Sequence, residues 1–194
     1  MGTAFLAPFV GYPIHLLRSP GSAARPAVRP RPAASLADFD KNGITGTITF
    51  DPQNPAATTG KIVIASESLT VANPLQKEHL HGPNWLDVAK YPEISFEAKS
   101  LANVKTDGNT TTADVTGTFS LHGVSEDITV PVKFTYLADK LSARVPSLKG
   151  DLLVIRANFS INREDFNIEK GQYEDKVANE IDLNLSIAGA AVKP

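Results

Sequence analysis

The chain of 194 residues contains no cysteine, which removes disulfides, thiolate metal sites and cysteine nucleophiles from consideration. Acidic residues are missing from its start: none precedes Asp38, whereas Arg18, Arg25, Arg29 and Arg31 all do. Taking those four from 19 Lys and Arg leaves 15 against 21 Asp and Glu, so the remainder carries about −6. Phosphate backbones need clustered Lys and Arg, and this balance argues against a nucleic-acid partner. Long apolar runs are lacking too. Gly2 to Leu17 is apolar but is broken by Pro8 and Pro13, and it is too short to span a bilayer as a clean helix. A glycine-rich phosphate loop and a nucleophile elbow are both absent, and no catalytic set emerges.

The length suits one domain with a tail, and composition divides the chain at about residue 37. Arg18 to Ser35 is a low-complexity Ala, Pro and Arg segment that cannot bury enough surface to fold alone. A secretory signal places its basic residues before the apolar run, and here they follow it. Residues 1–37 therefore read as a degenerate export signal, a disordered linker or a wrongly assigned start. Residues 38–194 read as the folded domain.

From Ile44 onward the pattern is strand-like. Ala113, Val115, Gly117, Phe119 and Leu121 fall on one face against Asp114, Thr116, Thr118, Ser120 and His122. A return strand places Ile128, Val130, Val132, Phe134 and Tyr136 against Thr129, Lys133 and Thr135, with Gly123 and Ser125 in the connection. Further strands are predicted at 44–50, 60–70, 93–104, 151–162 and 180–189. Short alternating strands separated by turn residues indicate an antiparallel sandwich or barrel. One helical insert interrupts them: Asn84 caps WLDVAK, with Trp85, Val88 and Ala89 on one face and Tyr91-Pro92 as the stop. A second short turn of helix is expected at Leu75 to Leu80.

The order of these pieces resembles the YceI-like family of lipid-binding and polyisoprenoid-binding proteins. The resemblance rests on His79-Leu80, Asp87-Val88, Tyr91-Pro92, Phe96, Gly117, His122-Gly123-Val124 and Arg163-Glu164-Asp165-Phe166, and it covers about residues 43–189. It implies an all-β fold, an extended eight-stranded antiparallel barrel similar to a lipocalin, holding an isoprenoid chain inside. Two departures stand out. The family's opening strand, carrying Asp-x-x-His-Ser, and its apolar successor are not found before Asp40, so one or more N-terminal strands are expected to be missing. Asn167 replaces the usual glycine after Asp165-Phe166, a change an αL-tolerant residue can absorb.

The candidate ligand-binding residues are Ile48, Phe50, Ile62, Ile64, Phe96, Val115, Phe119, Val132, Phe134, Ile155, Phe159, Leu183 and Leu185, with Trp85 as an end plug and Arg163 as a contact to a polar head. Each has a plainer reading: a close-packed core, a residue stapling the helix, and a rim pair of Arg163 with Asp165. His79 and His81 invite a zinc reading with His122, but on a helix that spacing points them about 200° apart, and no metal is expected. The resemblance implies a non-enzymatic carrier or store for a long apolar lipid, an isoprenoid quinone or polyprenyl compound, with no cofactor. The rival readings are a structural module with a filled core and a metal-dependent enzyme. Family habit implies export to the bacterial periplasm or secretion, with the cytoplasm as the alternative; a homodimer stays open.

Overall fold

The computed structural model describes residues 43–71 and 73–192. Seven strands form one antiparallel sheet in chain order: β1 (Ile44–Thr49), β2 (Thr59–Ala65), β3 (Glu93–Asp107), β4 (Thr110–Leu121), β5 (Val124–Leu137), β6 (Gly150–Asn162) and β7 (Glu180–Val192). The family resemblance implies eight strands; the described residues hold seven. The departures noted before Asp40 fall outside the described residues, as does the segment 1–37.

Alternation explains the curl. Along β4 every second side chain from Thr111 to Leu121 is buried, and Val130, Val132 and Phe134 continue that face on β5. Burying one face bends the sheet around it until distant strands meet. Phe50, just past β1, stacks on Phe134 of β5 with ring centroids 5.5 Å apart. The outer face is polar and paired: Thr116 with Thr129 at 2.8 Å, Ser120 with Ser125 at 2.8 Å, and Lys99 donating to Asp127 at 2.7 Å.

The β4–β5 turn is tighter than the sequence suggests. Leu121 pairs with Val124, so only His122 (φ 51°) and Gly123 (φ 75°) form the connection, and Ser125 belongs to β5. Two residues with positive φ make the hairpin turn whose twist matches the strands. Glycine is needed there, since a Cβ at Gly123 would lie 2.5 Å from the Tyr91 ring.

The helix stands elsewhere than WLDVAK. It is α1 (Pro74–His81), with Asn73 accepting from the Leu75 N–H and proline in the first turn. The expected turn at 75–80 therefore is the helix. Residues 84–90 form turns because Asp87 takes φ 44°, and the amides of Leu86 and Asp87 donate back to Leu80 and Gly82. β2 is also shorter than read: it ends at Ala65, followed by a 3-10 turn at Ser66–Ser68.

Lys99 first, and then the Thr118 hydroxyl, hold the Asp127 carboxyl below the usual carboxylate range. A lowered folded-state pKa stabilises the fold above the ordinary carboxylate pKa, and that contribution disappears as pH falls through the lowered value. Lys99→Met is expected to raise the Asp127 pKa and flatten the acid limb of stability in that window. Carboxyl NMR titration checks this; an unmoved Asp127 would refute the assignment.

Candidate functional site

The interior of the curl is a cavity of 220 Å³. Every strand contributes to its wall, for example Ile48, Ile62, Phe96, Phe119, Phe134, Ile155 and Leu183. Among the described residues its lining carries no ionisable side chain, and its polar side chains are Thr58, Thr59, Thr70 and Ser95. Acid–base chemistry needs a titratable group within hydrogen-bond reach of the reacting atom. This wall supplies apolar contact instead.

Ile64, Val115, Val132, Phe159 and Leu185 also line it, so twelve of the fifteen residues picked out in the sequence face one space. Phe119 and Phe134 do not pair across the centre. Phe119 meets Phe159 and Phe166 edge-on, at 6.1 and 5.4 Å, while Phe134 stacks on Phe50.

Three of the fifteen lie elsewhere. Phe50 is 1% exposed and is packed between Phe134 and Tyr136, so its ring is core and not wall. Trp85 is half-buried and stacks on Tyr173 at 6.3 Å; the turn through Asp87 sends its neighbour Leu86 to the cavity instead. Arg163 is fully buried beneath the loop that follows β6. Its guanidinium donates to the carbonyls of Ile168 (2.9 Å), Glu169 and Gln172 (2.6 Å). It makes no rim pair with Asp165, which accepts from Asn162, and its closest carboxylate is Glu164 at 3.7 Å. The 3-10 turn Arg163–Phe166 replaces the strand geometry that would have set residues 163 and 165 on one face. Asn167 takes φ 56° in the left-handed region, as the missing glycine requires.

The motif residues converge on one end of the cavity. Tyr91 meets His122 edge-on at 4.7 Å, and its carbonyl accepts from Ser66 Oγ at 2.7 Å. His122 Nδ1–H donates to the Phe166 carbonyl at 3.0 Å, since a carbonyl oxygen can only accept. His81 Nε2–H likewise donates to the Leu69 carbonyl at 2.7 Å. These histidines brace loops, and no three His, Asp or Glu side chains gather into a metal-holding group among the described residues.

Several wall residues escaped the sequence reading. Leu121, Val130 and Ile181 carried the right alternation, and Ala157 and Ile161 shared a face with Ile155 and Phe159. Leu69, Val71 and Leu86 come from irregular segments with no period to reveal them, and Leu80 is supplied by α1.

A seven-stranded antiparallel sheet curled into a half-barrel around an apolar cavity, with a polar outer face and no pairing between β1 and β7 among the described residues, defines a small all-β protein of the binding type. The sequence matches the YceI-like domain over residues 34–189, and the chain belongs to that family. It is 32% identical over 159 residues to a UPF0312 protein of Yersinia pestis, covering 82% of this chain and 73% of that one. It is 31% identical over 156 residues to Protein YceI of Escherichia coli, covering 80% and 72%. A crystal structure of a Campylobacter jejuni YCEI protein superposes with a TM-score of 0.63 at 20% identity, covering 89% of this chain and 94% of that chain. That likeness concerns the fold.

Proposed function

We propose that the protein carries or stores a long apolar lipid of the isoprenoid type, without enzymatic activity, in the bacterial periplasm. The observation that carries this reading is the wall: seven strands converge on a space lined by apolar side chains, with no charged one among the described residues. Transfer of a hydrocarbon chain from water to such a surface is favourable by about 25 cal/mol per Å² buried. A filled structural core is disfavoured because Phe119 and Phe134 leave the space open between them. At 220 Å³ the cavity lies just under the roughly 300–1,000 Å³ of usual ligand pockets. The bacterial relatives support the compartment, and among the described residues no helix is long and apolar enough to cross a membrane.

Organic extraction of protein purified from a bacterial host, followed by mass spectrometry, is expected to yield a lipid near one equivalent. Lipid-free protein that also fails to take up isoprenoid alcohols or quinones would refute the proposal.

A further inference from the structure

The wall has a seam. β5 and β6 pair only from Val132↔Ala157 to Leu137↔Leu152. Beyond that point β5 continues against β4 as far as Val124, and β6 continues against β7 as far as Asn162, but the two ladders no longer meet. The pairing stops beside Pro131, which has no N–H to extend it. The turn Arg163–Phe166 then wedges into the far end of the gap, tacked to His122 through the Phe166 carbonyl.

Outside the seam lies a solvent-facing polar groove of 570 Å³, whose wall includes Glu126, Asp127, Asp165, Lys170 and Glu180. Ile161 lines both this groove and the apolar cavity, and Ile128 and Phe166 line the groove while packing against the same cluster as the cavity residue Phe119, so a thin apolar layer separates the two spaces.

We propose that this seam is a lateral opening of the cavity, through which the polar end of a bound isoprenoid emerges into the groove. The inference rests on the lipid-binding reading and adds where the head lies and which heads are accepted. A cavity too small for a long chain requires an end to project, and a break in the backbone ladder costs no hydrogen bond that Pro131 could have made. The groove then selects by charge. Asp127 is matched by Lys99 at 2.7 Å, which leaves Glu126, Asp165 and Glu180 facing Lys170. Such a rim repels phosphate and carboxylate heads and accepts uncharged or cationic ones. The favoured ligand class is an isoprenoid alcohol or quinone and not a polyprenyl phosphate.

Retinol and retinoic acid share one isoprenoid skeleton and differ in head charge, which makes them matched probes for fluorescence titration of the full chain at low salt. Retinol is expected to bind about tenfold more tightly, a difference of about 1.4 kcal/mol. Glu126→Lys combined with Glu180→Lys, both at exposed positions, should reduce that preference to about twofold or less by tightening retinoic acid. Glu93→Lys with Asp107→Lys changes the net charge equally on β3, away from the groove, and should leave the preference in place. Equal effects of the two pairs, or no effect of the first, would overturn the opening while retinol uptake preserved the binding reading. Failure of both probes to bind would remove both.

Discussion

Arg163→Met is expected to destabilise the fold by about 3 kcal/mol or more, the largest single effect of any change at the motif residues. The guanidinium is fully buried and satisfies three backbone carbonyls of the loop after β6. Leaving a buried acceptor unpaired costs about 1–3 kcal/mol each, though such losses do not add in full. The damage should spread toward the cavity, because the same turn carries Phe166, 2% exposed, against Phe119. Arg163→Lys keeps the charge but loses the fork and should fall between the two. Urea denaturation measures the loss, and hydrogen exchange should show protection falling first in residues 164–180. A methionine variant within about 1 kcal/mol of the parent would show that the loop holds itself.

The complementary test, of the cavity itself, is Ala157→Phe. Ala157 stands on the inner face of β6 between Ile155 and Phe159 and lines the empty space. A benzyl group there occupies volume the ligand needs. Retinol affinity is expected to fall roughly hundredfold, equivalent to about 2.7 kcal/mol, while overpacking changes stability by about 1–3 kcal/mol. Arg156→Phe places the same bulk one residue away, on the exposed face, and should leave uptake intact. Unchanged uptake by the Ala157→Phe protein would show that this cavity is not where the chain binds its ligand.

The strands were legible because their signal is local. In Ala113 to Leu121 the period-2 pattern names the buried face directly, and twelve of the candidate residues do face one cavity. Three failed for local reasons of another kind. Phe50 lies just beyond the end of β1, where alternation stops giving direction. At Trp85 a single left-handed residue, Asp87, turned the predicted helix into a wrap that exchanged Trp85 for Leu86. Arg163 read as a rim cation because charge in a sequence suggests solvent, yet it is buried by a loop whose carbonyls at Ile168, Glu169 and Gln172 accept from it.

By itself the sequence determined the antiparallel strands, their inner and outer faces, and the absence of cysteine chemistry, because these depend on residue type and spacing along a few neighbours. The tertiary structure decided the rest. Whether opposed apolar faces meet as a core or leave 220 Å³ between them depends on sheet curvature and on side-chain volumes far apart in the chain. The break between β5 and β6 is likewise invisible to alternation, which runs unchanged through Val130 and Val132 on one strand and Ala157 and Phe159 on the other. Only the pairing shows it.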